Sequence, residues 1–92
     1  MKYADLNSTF NIYYKTNNLA SGETIVFNVW NEGGQQLITN QIGTEIGTDG
    51  VYYIPFSSPS ASTYLLIIGS NNGSYPKPDV VKVGGPDEKA WY

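Results

Sequence analysis

The side chains able to do chemistry in this chain are eight carboxylates, five lysines and scattered hydroxyls, with no His, no Cys and no Arg. Proton shuttling near neutral pH would therefore fall to carboxylates such as Glu45, Asp49 and Asp79, and those need close pairing to shift their pKa values. Glu45 and Asp49 flank one turn and Asp79 follows Pro78, while the other acids are dispersed; this distribution reads as solvated loop carboxylates. A calcium site built from Glu45, Asp49 and loop carbonyls has no ladder of alternating Asp residues behind it. Ser57-Ser58-Pro59-Ser60 has no His or Lys beside it to activate a hydroxyl, so it is no nucleophile elbow. Asn7-Ser8-Thr9 and Asn72-Gly73-Ser74 match the glycosylation acceptor pattern, here as chance matches in an Asn-rich chain without a secretion signal. No enzymatic activity, cofactor or metal is expected.

What the chain does have is surface to pack: eight Tyr, two Trp and three Phe in 92 residues. That length makes one domain, with a modest core that needs no disulfide. The net charge is −3, and an acidic chain without Arg lacks the clustered cations that release counterions from a phosphate backbone. Nucleic-acid binding is not expected. Met1–Asp5 lacks the apolar stretch of a signal peptide, and no run approaches the ~18 apolar residues of a membrane span. Synthesis and folding in a cytoplasm, with no membrane insertion, are expected.

The elements that must position these residues are strands. Gly occurs ten times and Pro five, and β-branched and aromatic residues fall in short runs between turn signals. Thr9–Lys15 puts Phe10, Ile12 and Tyr14 on one face. Thr24–Asn31 puts Ile25, Phe27 and Val29 inward and Val26, Asn28 and Trp30 outward. Glu32-Gly33-Gly34 reads as a hairpin turn, followed by a strand over Gln35–Asn40 with Leu37 and Ile38 on opposite faces. Ile42–Ile46 reads as an edge strand or a wide loop, and Thr48-Asp49-Gly50 as a tight turn. Val51–Phe56 places Tyr52, Ile54 and Phe56 together, with Pro55 at an edge or strand end. Thr63–Gly69 and Val80–Val83 complete the set. Six or seven short strands at this spacing define an all-β chain folded as a two-sheet antiparallel sandwich over residues 1–84, with an extended C-terminal tail over 85–92.

Two features exceed what such a core consumes. Tyr64-Leu65-Leu66-Ile67-Ile68 does not alternate as a half-wet strand should. With Tyr64, Leu66 and Ile68 inward, Leu65 and Ile67 face out, covered either by the chain's own loops or by another subunit; their burial is worth roughly 3–5 kcal/mol. The tail, led by Gly84-Gly85-Pro86 and ending in Trp91-Tyr92, can reach ~30 Å when extended. Its aromatic pair reads either as an anchor for a neighbour's groove or as a segment folded back on its own sandwich.

The stretches Gly22–Trp30, Glu45–Phe56 and Tyr64–Ile68, which carry a Gly-led alternating strand, the Glu45-Ile46-Gly47 turn into Val51-Tyr52-Tyr53 and a Tyr-led apolar strand, resemble small Ig-like domains of tailed-bacteriophage virion proteins. The likeness covers about Gly22–Gly69. It implies an Ig-like antiparallel β-sandwich and a non-enzymatic role on the virion, as a head decoration (cement), neck, tail-accessory or fibre-base piece. Tyr64 then falls where a tyrosine corner sits in Ig-type sandwiches, or else simply lines the core. The chain departs from the pattern in having its own start Met and the C-terminal leash, as a free-standing subunit would.

The expected function is thus docking onto capsid or tail subunits of a virion assembled in the host cytoplasm, through Leu65, Ile67, Trp30, Trp91 and Tyr92. Such subunits are displayed in symmetric copies, so an isologous or cyclic contact between copies is expected as well. The competing reading is a carbohydrate- or cell-surface-binding module with Trp30, Tyr53 and Tyr75 as stacking platforms.

Overall fold

Alternating β-branched and aromatic residues, punctuated by Gly and Asn turns, leave the described part of the chain entirely in strands and loops. The computed structural model describes residues 2–84; Trp91, Tyr92 and the rest of the 85–92 tail lie outside the described residues. Eight strands form: β1 (Lys2–Ala4), β2 (Thr9–Lys15), β3 (Ile25–Asn31), β4 (Gln36–Ile42), β5 (Thr44–Glu45), β6 (Val51–Ser57), β7 (Thr63–Asn71) and β8 (Ser74–Val83). They make a five-stranded sheet in the order β1-β8-β7-β3-β4 and a three-stranded sheet in the order β2-β6-β5. All pairings are antiparallel except β1 with β8, which is parallel. The count thus exceeds the expected six or seven by the short β1, and the sandwich is not purely antiparallel.

The crossing from β1 to β2 carries the chain from one sheet to the other. It is pinned by Ser58, whose hydroxyl donates to the Asp5 carbonyl at 2.6 Å and accepts from the Ser8 N–H at 2.9 Å. Strand β8 runs longer than the expected Val80–Val83, through Pro76 and Pro78. The Gly84 N–H donates to the Ala4 carbonyl of β1, so even-numbered residues of β8 aim their backbone away from β7. Pro78, and Pro76 two residues before it, therefore spend their missing N–H on the free edge rather than on the β7 ladder.

Between the sheets lie Ile12 and Tyr14 of β2, Ile25, Phe27 and Val29 of β3, Tyr52, Ile54 and Phe56 of β6, Leu65 and Ile67 of β7, and Val81 and Val83 of β8. The faces expected for β2, β3 and β6 are the ones observed, and Ile38 packs on the core while Leu37 is exposed. Strand β7 is the exception. Leu65 is fully buried and Ile67 nearly so, whereas Tyr64 and Leu66 are about 40% exposed; the expected outward placement of Leu65 and Ile67 is overturned.

Gly69 explains why. A side chain there would run into the Tyr14 and Phe27 rings, so Gly69 must face inward, and with it, two and four residues back, Ile67 and Leu65. Their neighbours across the ladder agree: Leu65 stands opposite Val81 and Ile67 opposite Asp79 on β8, and Ile67 opposite Val29 on β3. Tyr64 consequently neither lines the core nor makes a tyrosine corner. Its ring lies outside, with the Lys82 ammonium 4.6 Å from its centroid.

Candidate functional site

The outer face of the five-stranded sheet collects what β7 could not bury. In register, Trp30 of β3 stands opposite Leu66 of β7, and Leu66 opposite Val80 of β8, giving an unbroken apolar row across three strands. The next row holds Asn28, Ile68 and Pro78, and the row on the other side holds Tyr64, Lys82 and Tyr3. Leu66 and Val80 are each about 40% exposed and Tyr3 is 50% exposed; covering Leu66 and Val80 would gain about 1–2 kcal/mol each.

The rim of this patch is polar and already internally paired. Lys82 donates to the Ser62 hydroxyl at 3.0 Å, the Glu32 carboxylate accepts the Tyr64 N–H at 3.1 Å, and the Asn28 side-chain oxygen accepts from Gln36 and from the Asn40 backbone. An apolar centre with a polar rim is the anatomy of a protein–protein contact. Of the residues picked from the sequence, only Trp30 is placed here. Leu65 and Ile67 are in the core, and Trp91 and Tyr92 lie outside the described residues. Leu66, Val80, Tyr64 and Tyr3 were missed, although the charge of Lys82 fixes Val81 and Val83 inward and, through the β7–β8 pairing, turns Leu66 and Val80 outward.

The three aromatic platforms of the carbohydrate reading do not share a surface. Trp30 is on the large sheet. Tyr53 is on the outer face of the small sheet, 6.3 Å from the Tyr13 ring. Tyr75 sits at the β7–β8 hairpin, with a left-handed backbone (φ 53°) and its carbonyl accepting the Tyr14 hydroxyl at 2.8 Å. Burial and the nearby Tyr75 raise the Tyr14 phenol above its usual pKa.

Tyr75 does border a polar depression of about 230 Å³ shared with Tyr14, Thr16, Asn17, Asn18, Ala20, Glu23 and Asn71. It holds one carboxylate, Glu23, already accepting from the Asn71 amide, and no base–nucleophile pair.

The other polar clusters are braces. Glu45 accepts from the Gly22 N–H and the Ser21 hydroxyl at 3.1 Å through one oxygen, and from the Gly50 N–H at 3.1 Å through the other. These bonds, the one from the Gly22 backbone foremost, hold its carboxyl below the ordinary pKa. The Thr16 hydroxyl and N–H both reach the Gly50 carbonyl, closing the same end of the sandwich. Among the described residues no cluster of three or more His, Cys, Asp and Glu is arranged to hold a metal, and no helix is long and apolar enough to cross a membrane.

No known family model matches this sequence, and no similar curated protein or solved structure was found.

Proposed function

We propose that this protein is a non-enzymatic structural subunit that docks, through the outer face of its five-stranded sheet, onto capsid or tail subunits of a phage-type virion. The carrying observation is the Trp30–Leu66–Val80 row, three apolar side chains in register on the outside of a sheet whose inside is already filled. An Ig-like reading of the sandwich goes with it: with β2, β5 and β6 taken as strands B, D and E and β3, β7 and β8 as strands C, F and G, the order β1-β8-β7-β3-β4 over β2-β6-β5 is that of an Ig-like pair of sheets with an added edge strand on the larger one. The virion setting rests on the resemblance of Gly22–Gly69 to Ig-like virion domains. The partner is a protein surface, because the patch is apolar with a paired polar rim and offers no cation cluster to a phosphate chain. Trp91 and Tyr92 remain part of the proposal as a second contact.

The test is co-sedimentation with purified virions, with mass spectrometry of the particles to establish residence. Leu66→Lys places a charge at the centre of the row and is expected to abolish sedimentation, the cost of an unpaired charge in an apolar contact being several kcal/mol. Thr44→Lys, exposed on β5 of the opposite sheet and away from the β2 edge, is expected to sediment with particles as the parent does. Equal sedimentation of the parent and Leu66→Lys would remove the face from the docking surface.

A further inference from the structure

Most open strand edges in the described sandwich carry a device against pairing with another chain. Strand β1 has three residues and β5 two. Strand β4 is kinked by register shifts and by Asn40 in the left-handed region (φ 49°). The free part of β8 carries Pro76, Lys77 and Pro78, and β6 beyond the end of β5 carries Pro55. Strand β2 carries no such device before Lys15 at its end. It runs seven residues, Thr-Phe-Asn-Ile-Tyr-Tyr-Lys, paired with β6 without a shift from Thr9 opposite Ser57 to Lys15 opposite Val51.

The direction of its backbone groups follows from its two ends. The Thr16 N–H donates to Gly50 and the Ser8 carbonyl accepts from Ser58, so even-numbered residues face β6 and odd-numbered ones face out. Pro55, opposite Asn11, fits this pattern, since that pair needs no N–H from the proline. The outward carbonyl of Lys15 is taken by the Lys77 ammonium. The backbone N–H and C=O of Asn11 and Tyr13 have no partner among the described residues.

We infer that β2 is the self-association edge of this protein, pairing antiparallel with β2 of a second copy about a two-fold axis at Ile12. That register sets Asn11 opposite Tyr13 of the second copy, and the two such pairs exchange four N–H···O bonds. Ile12 meets Ile12, and Phe10, only partly buried in one copy, meets Tyr14 of the other, so the two cores become continuous. Lys15 falls opposite Thr9, keeping like charges apart. The outward side chains match too: the Asn11 amide already donates to the Tyr13 hydroxyl within one copy at 3.3 Å, and the pair repeats across the axis. The product is a six-stranded sheet, β5-β6-β2-β2-β6-β5, an isologous contact of the commonest kind.

Sedimentation equilibrium of the full chain, with no particle present, tests this independently of the proposed function. A concentration-dependent dimer is expected. Asn11→Pro removes an edge N–H that bonds nothing within one copy, at an edge position that tolerates proline; it should weaken the dimer at least roughly tenfold with the circular-dichroism spectrum unchanged. Tyr13→Lys, a charge of the kind edge strands use to repel partners, should act the same way without a backbone change. In the parent, amide exchange at Tyr13 should slow as concentration rises through the dimerisation range. A parent that stays monomeric at about 1 mM overturns the inference. So does a dimer indifferent to both variants, or one dissolved by Leu66→Lys instead.

Discussion

Glu45 is the residue whose role changes most between sequence and structure. In the sequence it is one loop acid among eight; in the fold it ties the Ser21-Gly22 loop to the Gly50 turn through three donors. Because those bonds favour the carboxylate and lower its folded pKa below the ordinary 4.5, its contribution is complete above that value and fades as pH falls through the depressed one. Glu45→Gln is therefore expected to lower the melting temperature at pH 7 and to flatten its decline below about pH 4.5, read by thermal melts across that range. An acid limb identical to the parent's would mean that the brace carries no pH dependence. The neighbouring Gly50 was legible as a turn residue, and it has the positive φ (74°) that such turns demand. What sequence could not show is that the Leu19 backbone lies where its side chain would be, a contact made across thirty-one residues of chain.

At the scale of elements, the strands with a polar residue marking one face read correctly, and β7, whose central residues lack one, did not. For β3, the polar Asn28 between Val26 and Trp30 marks the outward face, and Ile25, Phe27 and Val29 are left to the inside. Strand β7 offers Leu65 and Ile67 against Tyr64, Leu66 and Ile68, two sets of equal hydrophobicity, so parity is decided by what the opposing layer can accept. The space needed by the Phe27 and Tyr14 rings above Gly69 supplies that decision, and a one-residue error in parity exchanges the two faces of the strand. β1 escaped notice because three residues paired in parallel to a distant strand leave no periodic signal. The parity has a direct thermodynamic test. Leu65→Ala, in a fully buried site, should cost about 2–5 kcal/mol, and Leu66→Ala below about 1 kcal/mol, measured by chemical denaturation. Similar costs at the two positions would contradict the facing of β7.

For the whole molecule, the sandwich keeps apart the two surfaces that the proposed docking and the inferred self-association would use. The Trp30–Leu66–Val80 row lies on the outside of the five-stranded sheet, and the open β2 edge belongs to the three-stranded sheet. Pairing through β2 would leave Trp30, Leu66 and Val80 of both copies uncovered, and under the proposed function such a dimer would present two docking faces to repeated virion subunits. Once one face is seated, the second binds at the effective concentration set by a rigid connection, a gain limited by whether both faces reach sites at once. The expected consequence is a difference between affinity and avidity. Asn11→Pro should bind an isolated capsid or tail subunit as tightly as the parent does, yet dissociate from whole particles roughly ten- to a hundred-fold faster, within the range that bivalence provides. Surface plasmon resonance with immobilised subunit at low density and then with immobilised particles separates the two. Equal dissociation from particles would mean that the two faces of a dimer do not engage neighbouring sites, and a loss already visible on the isolated subunit would place β2 within the docking surface itself.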